Sequence, residues 1–246
     1  MTKFNGASRL SKMLVFLSLI SKSTLGFEIP DNALESYVGD FSALREKGVV
    51  RVLVSGDMGF YHIENGKPKG ILAEQIYYFD QELKLRDPLL RVKVIPVERS
   101  ELLNALNLGQ GDIAIANLTV TKQREKLVDF SIPIRSDIDE LLVTSRSTPL
   151  INDITQLQGK EVWLKQNSSY ISSVHSVNKQ LEKNGLAPIY IHLLSDNLQD
   201  LELLDLIKRG QITATIVDSH KLELWGNLEQ DIRIHRNLAF RQNGDI

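Results

Sequence analysis

The sequence contains no cysteine among its 246 residues. This absence excludes a disulfide framework, zinc or iron–sulfur sites with thiolate ligands, a cysteine nucleophile and a lipid anchor on an N-terminal cysteine. The chain also has no excess of charge of one sign, since 29 Lys and Arg face 31 Asp and Glu for a formal net charge of −2. It therefore lacks the basic footprint of a nucleic-acid-binding protein, and we expect no nucleic acid as a partner.

The usual sequence motifs of catalysis are missing as well. There is no G-x-S-x-G, G-x-G-x-x-G or G-x-x-x-x-G-K-[ST] segment, and no H-E-x-x-H or His-x-His pair. The five histidines are dispersed along the chain: His62, His175, His192, His220 and His235. We therefore expect no metal site and no cofactor.

The N-terminus has the pattern of a secretory signal peptide. Positively charged Lys3, Arg9 and Lys12 precede a short apolar run from Met13 to Ile20, and small polar residues follow as far as Gly26. The apolar run is far shorter than the ~20 residues that span a bilayer. We predict a signal peptide over residues 1–26, cleaved after Ser23 or Gly26, and a periplasmic protein without a lipid anchor.

Residues 49–116 alternate between strand and helix patterns. A buried strand is predicted over Val49–Val54, a hairpin around Asn65-Gly66, and a helix over Ile71–Leu85. Further elements are predicted over Val92–Val97 (strand), Ser100–Leu108 (helix, capped by Ser100) and Ile113–Ala116 (strand). Strands separated by helices indicate a largely parallel α/β sheet.

The second half repeats this alternation, without a linker between the halves. Strands are predicted over Asp139–Thr144, Glu161–Lys165, Ile189–Leu193, Thr213–Val217 and Ile232–Ile234. Helices are predicted from Ser168 to Lys183, from Leu198 to Lys208 and from Ser219 to Trp225. We predict a lead-in over residues 27–48, one lobe over 49–138 and a second, incomplete lobe over 139–246, with a crossing near 134–141.

Ligands of open parallel sheets bind beyond the carboxyl ends of the strands, which directs attention to four polar loops after predicted strands. In the loop after the strand at 113–116, Asn117 and Thr119 offer polar groups, and Thr121 could cap a turn that places Arg124 near them. An arginine fork matches a carboxylate. The alternative is an exposed Arg124 that pairs with Glu125 or Asp129.

Three other loops contain candidate ligand contacts. Ser168 and Ser169 precede a predicted helix, where hydroxyls and free N–H groups either bind an anion or simply cap the helix. Asp218 follows a strand and either accepts a ligand ammonium or caps the next helix. Tyr61 is either an aromatic wall of the site or part of the hairpin packing.

The segment G-D-I-A-x-A-N-L-T-x-T-x-x-R-x-x-x-V-D-F-S-x-P resembles the family 3 extracellular solute-binding proteins. Within them, K-E-V-W at 160–163, S-S-Y at 168–170 and V-D-S-H-K at 217–221 resemble the N-terminal binding domain of the membrane-bound lytic murein transglycosylase F family. The resemblance implies a two-lobe α/β periplasmic-binding fold of type II topology. It further implies that Arg124 holds a ligand carboxylate beside Asn117 and Thr119, that Ser168 and Ser169 add contacts, and that Asp218 meets an ammonium.

This resemblance leads to two further expectations. The family continues beyond Ile246 through a second-lobe strand, a return crossing and a lytic domain, so we expect a C-terminally truncated fold and no enzymatic activity. We expect an exported solute-binding or sensor domain for a small molecule, an amino acid or muropeptide. The alternatives are a regulatory fragment of a peptidoglycan lytic enzyme, with peptidoglycan as a partner, and an amino-acid transport receptor that serves a membrane permease.

Overall fold

The computed structural model describes residues 35–225 and 230–246. The predicted signal peptide over residues 1–26 and the start of the lead-in therefore lie outside the described residues. The α-helices are α1 (Phe41–Lys47), α2 (Ile71–Arg86), α3 (Leu102–Asn107), α4 (Tyr170–Lys183), α5 (Asp200–Lys208) and α6 (Ser219–Leu224). The strands are β1 (Val49–Val54), β2 (His62–Glu64), β3 (Lys67–Lys69), β4 (Arg91–Pro96), β5 (Ile113–Ala114), β6 (Ile138–Ser145), β7 (Glu161–Lys165), β8 (Tyr190–Leu194), β9 (Ala214–Asp218) and β10 (Ile232–Gly244).

The first lobe, which we define as α1–α3 and β1–β5, has a parallel sheet in the order β4-β1-β5. Every residue of β1 is buried, as expected for a strand covered on both faces. The predicted hairpin is confirmed, and its turn residues Asn65 (φ 50°) and Gly66 (φ 74°) both adopt the left-handed conformation. Helix α2 is confirmed within one residue of its predicted end.

Two predictions in this lobe are wrong in detail. Ser100 does not cap a helix, because it lies inside a 3₁₀ helix over Arg99–Glu101 that leads into α3. The strand predicted over 113–116 pairs only at Ile113–Ala114, where β5 meets β1.

Buried ionic contacts explain the Gly-Asp pair that opens the predicted site motif. Asp112 Oδ1 accepts a hydrogen bond from Arg51 Nη2 (2.7 Å), and Asp112 Oδ2 accepts from the backbone N–H of Arg51 (2.7 Å). Arg51 is 1% exposed, so this pairing neutralises a buried charge in the first lobe. A Cβ at Gly111 would lie 2.3 Å from Leu53 Cγ, so the close approach to β1 requires glycine there.

The second lobe, which we define as α4–α6 and β6–β10, has two sheets, in the orders β10-β6-β9 and β7-β8. Strands β7 and β8 are parallel, whereas β6 pairs antiparallel with β9 and with β10. The prediction of a largely parallel sheet is therefore wrong for this lobe. Strand β6 enters from the crossing and β10 runs back toward it, so these neighbours have opposite directions.

The last strand is longer than the predicted Ile232–Ile234 and returns toward the crossing. Strand β10 continues to Gly244, and Ile246 exchanges backbone hydrogen bonds with Ile134 and Arg135 (2.7 and 2.9 Å). Asp245 O also accepts from the backbone N–H of Val120 (2.8 Å). The register of β10 shifts at several points, which breaks the alternation of apolar residues and explains why the sequence pattern ended at Ile234.

The hydrophobic residues form separate cores on the two sides of the crossing. One set packs around Val50, Val52 and Leu72 in the first lobe, and another packs around Leu142, Leu164 and Val174 in the second. Within residues 35–225 and 230–246, no helix combines the length and apolar character needed to cross a membrane.

Candidate functional site

A cavity of about 810 Å³ lies between the lobes, and we call it the cleft cavity. Its walls come from the 3₁₀ helix after β4, the loop after β5, the start of α4 and the end of β9. These are the carboxyl ends of strands, as the strand-end rule predicts. Five sequence-predicted site residues line this cavity: Thr119, Arg124, Ser168, Ser169 and Asp218.

Arg124 enters the cleft cavity because of a local turn. Thr121 Oγ1 accepts a hydrogen bond from the Arg124 backbone N–H (3.2 Å), which opens a 3₁₀ helix over Arg124–Lys126. Arg124 Nη1 donates to the backbone carbonyl of Thr119 (2.8 Å), and burial, followed by the nearby charge of Arg99, lowers the pKa of Arg124 to about 10. The side chain therefore faces the cleft, with most of its guanidinium N–H donors available to an anion.

The N-terminus of α4 forms the opposite wall. Ser168 Oγ accepts a hydrogen bond from the Tyr170 backbone N–H (3.2 Å), whereas the Ser169 side chain makes no capping bond. The Tyr170 side chain is buried, and its hydroxyl accepts from the backbone N–H of Asp218 (3.1 Å). Helix α4 spans 14 residues, so its N-terminal dipole favours a negative group at this wall.

Asp218 lies at the end of β9, at the N-cap position of α6, but its side chain does not cap that helix. The residue is 3% exposed, and its Oδ1 atom has no hydrogen-bond partner among the described residues. Its Oδ2 atom lies 3.9 Å from Lys221 Nζ. A buried carboxylate oxygen without a donor is costly, so Oδ1 is suited to accept a donor from a ligand.

A second buried carboxyl group lies on the strand next to Asp218. Glu140 of β6 pairs with Asp218 in the β6–β9 ladder, and Arg241 Nη2 lies 2.6 Å from Glu140 Oε1. Burial raises the pKa of Glu140 to about 7. Arg241 therefore limits the repulsion that Glu140 would otherwise exert on Asp218.

Two lysines and one aspartate form a buried ionic network in the cleft, which we call the Asp200 network. Asp200 Oδ1 accepts from Lys165 Nζ, and Asp200 Oδ2 accepts from Lys221 Nζ (2.5 Å). Burial would raise the pKa of Asp200, but the two lysines outweigh it and hold that pKa well below its ordinary value. The network joins β7, α5 and α6 at one end of the cavity.

The remaining two predicted site residues do not line the cleft cavity. Tyr61 packs in the apolar core of the first lobe beside Phe60 and Leu72, so it belongs to the hairpin packing rather than to a ligand wall. Asn117 Oδ1 lies 2.9 Å from His220 Nε2 in a buried contact that links the two lobes. Its side chain is therefore used between the lobes, because the β5 loop directs it toward α6.

The burial of His220 predicts a pH dependence of the free energy of unfolding. Burial lowers the pKa of His220 to about 4, so the unfolded chain binds more protons than the folded protein between about pH 4 and 6.5. We expect the free energy of unfolding to fall as the pH falls through this window, by on the order of 3 kcal/mol in total. The measurement is urea denaturation at a series of pH values.

A His220→Gln variant isolates this contribution, because glutamine keeps a hydrogen-bonding group but does not titrate. The stability of this variant should change less than that of the original chain between pH 6.5 and 5. His192→Gln is the matched control, because His192 lies on the exposed strand β8. Parallel pH curves for the original chain and His220→Gln would contradict the prediction.

Arg99 and Lys165 line the cleft cavity but were not among the predicted site residues. Arg99 follows β4 and Lys165 ends β7, so the same strand-end rule that indicated four loops also covers them. Members of the Asp200 network are far apart in sequence, and no motif joins them. Their common site is visible only in the folded chain.

Comparison with known proteins places the chain among solute-binding proteins. The family model of the bacterial extracellular solute-binding proteins, family 3, matches residues 50–211. A membrane-bound lytic murein transglycosylase F from Shewanella woodyi is 32% identical over 145 residues, covering 58% of this chain and 28% of the relative. The protein of the same name from Maricaulis maris is 24% identical over 208 residues, covering 82% and 42%. The chain thus spans less than half the length of these relatives.

A solved structure agrees with this fold. The solute receptor for L-cysteine of Neisseria gonorrhoeae superposes with a TM-score of 0.64 at 21% identity, covering 83% of this chain and 78% of the receptor. At this identity the likeness concerns the fold. It shows the two-lobe periplasmic-binding fold with α/β lobes, as the sequence resemblance predicted.

Proposed function

The chain belongs to the bacterial extracellular solute-binding proteins of family 3, and from this premise we propose that it is an exported, non-catalytic binding domain. Its ligand is amino-acid-like and is held between the two lobes by its carboxylate and ammonium groups. We further propose that the chain is delivered to the periplasm by the signal peptide predicted over residues 1–26.

The observation that supports this proposal best is that Arg124 and Asp218 line one cavity from different lobes. Arg124 comes from the first lobe, with its guanidinium hydrogen-bonded to a backbone carbonyl rather than to a carboxylate. Asp218 comes from the second lobe, and its Oδ1 atom is buried without a donor among the described residues. An α-carboxylate and an α-ammonium on one ligand would satisfy both groups. Thr119, Ser168 and Ser169 supply further polar contacts in the same cavity.

A second candidate function follows from the curated relatives. Two of them are named membrane-bound lytic murein transglycosylase F, and this chain covers 28% and 42% of their lengths. In this alternative the domain binds muropeptides and regulates a peptidoglycan lytic enzyme. A third candidate, transport of a free amino acid with a membrane permease as partner, is supported by the likeness to the L-cysteine receptor.

A thermal-shift screen tests the proposal, because a ligand that binds only the folded state stabilises it. We expect an amino acid or a muropeptide at about 100 times its Kd to raise the Tm by about 5 to 10 °C. N-acetylglucosamine, which has neither an α-carboxylate nor an ammonium, is the negative control.

The pattern of hits separates the candidates. Stabilisation by free amino acids alone would favour a transport receptor, and stabilisation by muropeptides alone would favour the regulatory candidate. No stabilisation by any amino acid or muropeptide would reject the proposed function.

A further inference from the structure

The cleft cavity continues into a second cavity of about 560 Å³, which we call the side cavity. The two cavities share three lining residues: Arg99, Lys165 and Asp196. Together their volumes exceed the roughly 300–1,000 Å³ that is typical of small-molecule sites in proteins. If Arg124 and Asp218 hold a carboxylate and an ammonium, the remainder of the ligand extends toward this junction. The inference below therefore rests on the proposed function.

The side chains of the cleft cavity have an excess of two positive charges. Five cations line it: Arg99, Lys122, Arg124, Lys165 and Lys221. Three carboxylates oppose them: Asp196, Asp200 and Asp218. This local excess contrasts with the net charge of −2 of the whole chain. A cavity with such a balance attracts anions.

The pairing within the cavity shows where this excess lies. Lys165 and Lys221 are neutralised largely by Asp200, with Asp218 Oδ2 3.9 Å from Lys221. Asp196 Oδ1 accepts from the backbone N–H of Asn167 (3.0 Å). This bond leaves the charge of Asp196 in place. The cations of the cavity that have no carboxylate partner among the described residues are Arg99, Arg124 and the solvent-exposed Lys122.

Both arginines donate to backbone carbonyls, which do not neutralise their charge. Arg99 Nη2 donates to Asn117 O (2.8 Å), and Arg124 Nη1 donates to Thr119 O (2.8 Å). The charge of Arg99 acts on Arg124 strongly enough to be a cause of its lowered pKa. On the other side of the junction, Asp57 lines the side cavity, and burial raises the pKa of Asp57. The charge of Arg99 acts on Asp57, and exposed Glu98 also lines the side cavity, but neither carboxylate forms an ion pair with Arg99 among the described residues. One ligand carboxylate at Arg124 would therefore leave Arg99 without a direct ion pair.

We propose that the ligand has a second carboxylate, bound by Arg99 and Lys165 at the junction of the two cavities. Lys165 has three N–H donors, so its bond to Asp200 leaves donors for this group. The ligand class is an acidic amino acid or a short peptide with an acidic side chain. Arg99 determines specificity for that second group, whereas Arg124 holds the first.

Calorimetric titration with matched pairs tests the inference. The pairs are L-glutamate against L-glutamine, L-aspartate against L-asparagine, and L-alanyl-D-glutamate against L-alanyl-D-isoglutamine. In each pair only one carboxylate is replaced by an amide. We expect the dicarboxylate of at least one pair to bind about tenfold tighter or more, which corresponds to about 1.4 kcal/mol. The free amino acids and the dipeptides distinguish the two sources of the ligand.

Two variants locate the second carboxylate. In Arg99→Gln we expect the preference for the dicarboxylate over its amide to fall to about threefold or less, because a charge-assisted hydrogen bond is lost. Arg99→Lys should recover part of it, because the positive charge is kept. Arg86→Gln is the matched control, because Arg86 lies on the exposed face of α2 and pairs with Glu82. The Arg86→Gln variant should prefer the dicarboxylate over its amide to the same extent as the original chain.

The outcomes separate this inference from the proposed function. Equal or tighter binding of the amides would reject the second carboxylate and leave the proposed function intact. A preference that persists in Arg99→Gln would also reject the inference, because Arg99 would not bind the second group. Failure of every amino acid and peptide to bind would reject the proposed function and this inference with it.

Discussion

Replacing Arg124 by alanine is expected to weaken ligand binding by about thirtyfold or more. The guanidinium lies in the cleft between the lobes, so its removal leaves the ligand carboxylate desolvated and without its partner. Loss of one side of a buried, hydrogen-bonded charge pair typically costs about 2–5 kcal/mol. An exposed arginine paired with Glu125 or Asp129 would contribute less than about 1 kcal/mol, so the two interpretations predict clearly different results.

The experiment is calorimetric titration of three variants with the ligand found in the thermal-shift screen. Arg124→Lys should also bind poorly, because an ammonium keeps the charge but not the planar fork that matches a carboxylate. Arg86→Ala, on the exposed face of α2, is the control and should bind like the original chain. Circular dichroism establishes that each variant is folded. Unchanged affinity in folded Arg124→Ala would rule out its role as the carboxylate ligand.

Asp200→Asn is expected to lower the free energy of unfolding by about 3–5 kcal/mol. The substitution keeps the shape of the side chain but leaves Lys165 and Lys221 buried without their shared counter-charge, which is the costly way to break a buried ion pair. Such a loss is a large part of the stability of a domain. Urea denaturation at pH 7 measures it.

The matched control is Asp205→Asn on the same helix. Asp205 is exposed and pairs with Arg209 one turn away, so its replacement should cost less than about 1 kcal/mol. Equal effects of the two substitutions would contradict a stabilising role of the Asp200 network.

The pH dependence gives a second test of the same network. The folded-state pKa of Asp200 is lowered, so its contribution to stability is fully present above the unfolded-state pKa of about 3.9 and is lost as the pH falls below it. The difference between the original chain and Asp200→Asn should therefore be constant from pH 5 to 7 and decrease below about pH 4.

The local elements of the fold were predictable because their patterns are short-range. Strand β1 and helix α2 follow from apolar periodicity, and the β2–β3 turn follows from Asn65-Gly66. The end of β10 was missed because its register shifts hide the alternation on which strand prediction depends. The antiparallel pairing of β6 depends on the direction in which the chain crosses between lobes, which periodicity does not encode.

The candidate site was partly predictable for the same reason. Thr121 and Arg124 are three residues apart, so the turn that directs Arg124 into the cleft is local. Arg99 was not predicted as a site residue. It lies in a 3₁₀ helix, whereas the sequence pattern predicted an α-helix capped by Ser100. Asn117 was assigned to the ligand, whereas the approach of His220 from the other lobe engages its side chain.

The sequence by itself determined the family, the alternation of strands and helices, and the position of Arg124 beyond a strand end. Only the tertiary structure decided that Lys165, Asp200 and Lys221 form one buried network and that Arg99 faces the same cavity as Arg124. The physical reason is how far apart in the sequence the interacting residues lie. Helix caps, turns and strand periods depend on neighbours a few residues apart, whereas charge balance in a cleft depends on groups that the two lobes bring together.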